Sequence, residues 1–154
     1  MKAVLDLSGL RDLEKDLTKL ESKHVEWGFL SGEHSTAEMS YAELAWMLED
    51  GTDKIPPRPA FRDMIAGLIT SHKAFEYEIK DEMQRLVYGM GNPYNVHKAS
   101  GEYLKALYTD TMVSWFSDGS MNRQNSKVTK AIKGHAMPYV WTGELVQNVE
   151  YQIT

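Results

Sequence analysis

Tyr41-Ala-Glu-Leu-Ala-Trp-Met-Leu-Glu-Asp-Gly-Thr52, running on into Ile55-Pro-Pro-Arg-Pro-Ala-Phe61, decides how this chain is built. Ser40 stands three residues before Glu43, the spacing of a capping box, and Leu44, Ala45 and Leu48 follow at helical intervals. Gly51 supplies the stop, because glycine alone enters left-handed backbone geometry without steric cost. In Lys54-Ile-Pro-Pro-Arg-Pro59 each residue that precedes a proline is driven to extended geometry, so Pro56 and Pro57 stiffen a bridge. Pro59 suits the first position of a second helix, where its missing N–H would be unpaired in any case. The reading is helix, rigid corner, helix.

Working outward, Ser8 is expected to cap a helix over 8–22 whose Leu10, Leu13, Leu17 and Leu20 form one apolar stripe. Val25, Trp27 and Phe29 alternate with Glu26 and Gly28, which predicts a strand over 24–30. The corner helix is expected over 37–50. Beyond the bridge, Phe61, Met64, Ile65, Leu68, Phe75, Ile79, Met83 and Leu86 keep helical spacing, predicting one long helix over 59–88. Gly89-Met-Gly-Asn-Pro93 ends it. A further helix over 98–117 carries Tyr103, Leu107, Tyr108 and Met112 on one face, and the turn-rich stretch 118–128 reads as a mobile loop. Thr142 is expected to cap a short turn ahead of a strand, together 142–153, in which Val149, Tyr151 and Ile153 alternate. Gly134 and Gly143 are turn positions. The expected class is α+β, a small, mainly antiparallel sheet packed with one long helix and several shorter ones.

Its 154 residues suit a single domain, 1–154, that buries enough surface to fold unaided. The absence of cysteine excludes disulfides and thiolate metal sites. A net charge of −5 is the wrong sign for gripping nucleic acid along a whole face. The longest apolar run, Leu44 to Leu48, is far short of a membrane span, and Asp6 interrupts the N-terminus too early for a secretion signal. The expectation is a soluble chain that is not exported by that route.

Residues with catalytic potential are present but scattered. His24, His34, His72, His97 and His135 lack the spacing that places two imidazoles on one helix face, so no metal site is expected, and His72 reads as half-buried on the apolar stripe. Asp50-Gly-Thr-Asp53 lacks the spaced ligands of a calcium loop and reads as a turn. Gly89-x-Gly91 lacks the third glycine of a dinucleotide loop. Glu76, Glu78, Asp81 and Glu82 fit a solvated helix face better than an acid–base pair, and no cofactor is expected. Lys127, Lys130 and Lys133 lie close enough together to touch a phosphate backbone. A nucleic-acid-binding module using the segment from Lys127 to Lys133 is therefore the alternative reading, and its affinity would fall steeply with salt.

Five short motifs, in order, resemble the head-to-tail joining proteins of long-tailed bacteriophages, the neck, tail-completion or minor tail proteins. They are Leu48-Glu-Asp-Gly-Thr52; Pro56-Pro-Arg-Pro-Ala-Phe61; Gly101-Glu102; Asn125-Ser126 with Thr129 and Lys133-Gly134; and Pro138-Tyr-Val-Trp-Thr-Gly-Glu-Leu145. The chain departs from the family pattern at Ala60, between Pro59 and Phe61, and at Tyr139 and Trp141, where leucine and an acid are usual.

The resemblance implies a non-enzymatic virion protein, assembled in the host cytoplasm, that forms a ring of six or twelve copies at the head–tail interface. Its implied partners are other copies of itself, portal, adaptor or stopper proteins, and tail tube or terminator proteins. DNA would pass through the lumen without sequence-specific binding, and no membrane is involved. A ring needs two different patches that meet, and rigid corners suit that task. The candidate assembly residues are Trp46, Glu49, Arg58, Phe61, Tyr139 and Trp141, with Gly51, Pro56, Pro57, Pro59, Gly134 and Gly143 as backbone corners. Arg58 is expected to reach a carboxylate, Glu49 or Asp50. Trp46 and Trp141 either bury within the subunit or contact a partner. Substituting Trp141 or Arg58 is expected to spare folding and impair particle joining.

Overall fold

The structure, a computed structural model, describes residues 6–35, 38–114, 127, 131–132 and 143–154. It is α+β and mostly helical. The named elements among the described residues are α1 (Ser8–Glu21), β1 (Val25–Gly28), α2 (Tyr41–Asp50), α3 (Ala60–Thr70), α4 (His72–Val87), α5 (Pro93–Ser114), α6 (Glu144–Gln147) and β2 (Glu150–Ile153). The two strands pair antiparallel, and beyond their ends His24 and Thr154 exchange N–H to carbonyl bonds at 3.0 Å in both directions. The chain divides into two compact units: Met1–Glu26, His72–Tyr103 and Gln152–Thr154 form the first, Trp27–Ser71 and Leu104–Tyr151 the second.

In the first unit, α1 shows its amphipathic stripe with no fully buried residue: Leu13 and Leu20 are half-buried while Leu10 and Leu17 stay exposed. Ser8 does not cap this helix. Leu7 holds the N-cap position without a side-chain bond, and the Ser8 N–H donates to the Asp6 carboxylate at 2.9 Å, which holds that acid below its ordinary pKa. The far end of α1 is pinned by His97, whose Nε2 lies 3.0 Å from the Leu20 carbonyl. Helices α4 and α5 meet through Phe75 and Tyr103, ring centroids 5.5 Å apart, and each also buries an aliphatic side chain, Leu86 on α4 and Val96 on α5.

The predicted helix over 59–88 is two helices. Ser71, at φ −133° and ψ 50°, leaves helical geometry, and its N–H closes α3 on the Gly67 carbonyl. Thr70 turns its hydroxyl back onto the Ala66 and Gly67 carbonyls, the local competition that makes hydroxyl residues poor helix continuers. Periodicity missed the break because Leu68 and Phe75 stay seven residues apart across it. The one long helix is instead α5, which begins at Pro93 and not at residue 98. Asn92 accepts from the Tyr94 N–H at 2.9 Å, so Asn92-Pro93 is an N-cap followed by proline at the first helical position. Gly101, of the Gly101-Glu102 motif, lies well inside this helix, buried. The end of α4 is a Schellman turn: the Met90 N–H reaches the Arg85 carbonyl, the Gly89 N–H reaches that of Leu86, and Gly89 has φ +69°.

The second unit holds the larger core. Tyr41, Ala45 and Leu48 of α2, Ala60 and Met64 of α3, Tyr108 and Met112 of α5, and Leu145 and Val149 at the C-terminal end are buried together. Here the capping box is present in full, with the Glu43 N–H donating to Ser40 Oγ and the Ser40 N–H to the Glu43 carboxylate. Ser40→Ala is expected to lower stability by about 1 kcal/mol. The bonds from Ser40 hold Glu43 below the ordinary carboxylate range, so their stabilisation is complete above that range and is lost as pH falls through the lowered folded value. Thermal melts from neutral to acid pH should therefore show the gap between wild type and variant closing on the acid side. At the C-terminal end Gly143, left-handed at φ +84°, occupies the N-cap of α6 in place of the expected Thr142. Thr142, Gly134 and most of the loop predicted over 118–128 lie outside the described residues.

Candidate functional site: the α2–α3 corner

Gly51 closes α2 at φ +77° and ψ 179°, a region open only to glycine, and its N–H reaches the Met47 carbonyl at 3.0 Å. Thr52 and Ile55 then bond each other through N–H and carbonyl groups at 2.8 and 3.2 Å, with Thr52 Oγ1 accepting from Lys54 and Ile55. The turn expected over 50–53 is thus found two residues later, over 52–55, with Asp50 still in α2 and Gly51 its C-cap. Pro56 and Pro57 are exposed, and the Arg58 N–H ties the bridge back to the Leu48 carbonyl at 2.8 Å. Pro59 is an N-cap and not the first helical residue. Its φ −76° and ψ 63°, with the Ala60 N–H on the Arg58 carbonyl at 2.8 Å, make an inverse γ-turn that the pyrrolidine ring fits without strain.

A proline N-cap has no side-chain acceptor, which leaves the first turn of α3 with open N–H groups. Glu49 fills the gap from the end of α2. Its two carboxylate oxygens accept from the Phe61 N–H at 3.1 Å and the Arg62 N–H at 3.0 Å, and Asp50 pairs with the Arg62 guanidinium. Both acids stand at the unfavourable end of the α2 dipole and at the favourable end of that of α3. Their location is explained by the second helix, and this cap was not anticipated from the sequence. The signal was there: a proline where Ser or Asp would cap, nine and ten residues after an acid pair.

Arg58 departs from its expected role. At 6% exposure it is buried in the unit, the expected Asp50 partner is engaged by Arg62, and Glu49 binds backbone. A buried guanidinium does not face a neighbouring copy. Substituting it is expected to disturb the fold, which reverses the sequence-based expectation that folding would be spared. Glu49 is likewise internal, at 9% exposure. Trp46 points the other way: two-thirds of its surface, 66%, is exposed. Of the two readings open for Trp46, burial within the subunit is excluded. Tyr139 and Trp141 lie outside the described residues.

Trp46 and Phe61 border a shallow groove of about 230 Å³, floored by Phe29, Ala45, Glu49 and Tyr108. Its Phe61 and Tyr108 belong to an aromatic cluster. Trp27 stacks on Phe61 at 5.4 Å, and Tyr108 meets Trp27 and Phe61 edge-on at 5.7 and 5.8 Å. Each such pair adds about 0.5–1.5 kcal/mol beyond simple burial, so the groove's shape is held firmly. Burial, and then the nearby Glu49 carboxylate, push the Tyr108 hydroxyl far above its ordinary pKa, and it stays neutral at any physiological pH.

Elsewhere the scattered polar residues remain scattered. His72 is exposed, not half-buried, with its ring 3.6 Å from Glu76, and Glu82 lies 3.7 Å from Arg85. No group of three or more His, Asp or Glu side chains suited to a metal ion occurs among the described residues, and no helix among them is long and apolar enough to cross a membrane. Lys127 is exposed, whereas Lys130 and Lys133 lie outside the described residues. No protein-family model, curated protein or solved structure matches the chain.

Proposed function

We propose that this chain is a structural assembly protein of a long-tailed phage, forming a ring that joins the capsid portal or its adaptors to the tail and leaves a passage for DNA. The ordered motif series supports the family reading. The observation that carries the assembly role is the corner: the helix that presents the exposed Trp46 is clamped at its end onto the next helix by Glu49, and the bridge between the two exposes Pro56 and Pro57. An exposed tryptophan on a rigid support is a costly surface for a monomer and a strong anchor for a contact, because interface energy concentrates in such aromatics. The net charge of −5 suits a conduit that repels passing DNA.

Trp46→Ala is expected to leave thermal stability nearly unchanged, since the side chain is mostly exposed, while reducing the joining of heads to tails about tenfold or more. Complementation of a phage lacking the wild-type gene, with free heads and tails counted by electron microscopy, measures this. Particles that join normally with Trp46→Ala would remove the corner from the interface. Purified virions that lack the chain altogether would remove the neck reading.

A further inference from the structure

The first unit carries two exposed helical stripes that the corner does not use. On α1, Leu10, Glu14, Leu17 and Glu21 recur at intervals of four, three and four residues, and all four are exposed, Leu10 by 64% and Leu17 by 43%. On α4, Lys73, Tyr77, Lys80 and Gln84 recur at the same four, three and four, all exposed, with Tyr77 at 75%. The α4 stripe lies along an open groove of about 560 Å³. Each stripe spans eleven residue steps, about 16 Å of helix. A four-three alternation keeps a stripe on one line of a helix and is the spacing by which two helices pack side by side.

The charges are complementary. Glu14 and Glu21 are seven residues apart on a leucine stripe; Lys73 and Lys80 are seven apart on a stripe with tyrosine and glutamine. None of the four makes an ion pair or side-chain hydrogen bond among the described residues, whereas neighbouring charges on the same helices do: Lys15 with Asp12, Lys19 with Asp16, and His72 with Glu76. Laid antiparallel, the stripes match rung by rung: Leu10 with Gln84, Glu14 with Lys80, Leu17 with Tyr77, Glu21 with Lys73. Laid parallel, acids and lysines do not alternate in step with the leucines in this way.

From this complementarity we infer that α1 of one copy docks antiparallel on α4 of a second copy of this chain. Within one chain α1 and α4 touch each other, and their exposed patches differ, as a head-to-tail contact of the kind from which rings are built requires. It deepens the ring reading by naming one of its contacts, and it rests on that reading only for closure into a ring. Aliphatic stems of the lysines and glutamates cover the leucines and the tyrosine while their charged ends pair at the rim. Steering by two in-register pairs then selects the antiparallel alignment over its alternatives.

The absence of native cysteine makes the test direct. Full-length Leu17→Cys is mixed with full-length Tyr77→Cys under mild oxidation at high protein concentration. A disulfide-linked pair is expected well in excess of that given by Leu17→Cys with Ile69→Cys, a control of comparable exposure on α3. Adding Lys73→Glu and Lys80→Glu to the Tyr77→Cys chain should cut the yield about tenfold or more, two attractions having become two repulsions. Adding Glu14→Lys and Glu21→Lys to the Leu17→Cys chain should then restore it. Equal yields from the test and control pairs, or charge reversals without effect or without rescue, overturn the inference. The two readings fail separately. Cross-linking as expected, with head–tail joining indifferent to the same reversals, keeps the contact and discards the neck. Loss of joining with Trp46→Ala, without specific cross-linking, does the opposite.

Discussion

Gly51→Ala is expected to destabilise the second unit by about 3 kcal/mol or more, a large share of the total stability of an ordinary domain. Two independent costs add. The backbone at φ +77° and ψ 179° lies in a region that a residue with a Cβ rarely enters. An added Cβ would also lie 2.6 Å from the Ile55 carbonyl oxygen and 2.7 Å from the Pro57 nitrogen, both backbone atoms of the stiff bridge. No rotamer change relieves such a contact, because nothing on either side of it rotates. Urea denaturation of the purified variant reads the loss directly, and an unchanged midpoint would mean that the corner is softer than its hydrogen bonds indicate. A contrast is Gly67, mid-helix in α3 with open space around its Cβ position, where alanine should stabilise by about 0.5–1 kcal/mol.

Glu49→Gln is the second large effect, expected at about 2–3 kcal/mol although it keeps the shape of the side chain. One amide oxygen still accepts an N–H, but the amide nitrogen then faces the other N–H, donor against donor. The favourable meeting of a negative charge with the α3 N-terminus is lost as well. Glu49→Asp, one methylene shorter, should lose less by retaining the charge, and Glu49→Ala should lose at least as much as the glutamine. Hydrogen exchange at the Phe61 and Arg62 amides would speed up in the glutamine and alanine variants before global unfolding. Were exchange there unchanged, Glu49 would not be the cap.

Legibility from sequence followed the range of each interaction. The capping box at Ser40 and Glu43, the glycine stop at Gly51, the turn at Thr52 and the termination of α4 at Gly89 were read correctly, since each is set by residues within a few positions of one another. The break at Ser71 was not. A non-helical residue that preserves the seven-residue interval between Leu68 and Phe75 leaves the apolar pattern intact. The start of α5 was hidden for a different reason: Asn92-Pro93 both ends one element and opens the next, and only the ending was recognised. At the candidate site the prolines of the bridge are exposed and Trp46, left open between burial and a contact, faces outward, while Arg58 and Glu49, grouped with them, turned inward.

Composition, apolar period and the punctuation by glycine and proline were enough to define an α+β chain built of helices around a small sheet, with a stiff corner between Leu48 and Phe61. Those features depend on backbone sterics and on hydrogen bonds within one or two turns, and a linear reading contains all their terms. Which side of the corner faces water depended on contacts across ten and more residues: Glu49 reaching the α3 amides, the Arg58 N–H drawn to Leu48, Phe61 held between Trp27 and Tyr108. Burial is a property of the packed neighbours of a residue and not of the residue itself. It took the folded chain to make Glu49 a clasp, Arg58 an internal charge and Trp46 a surface.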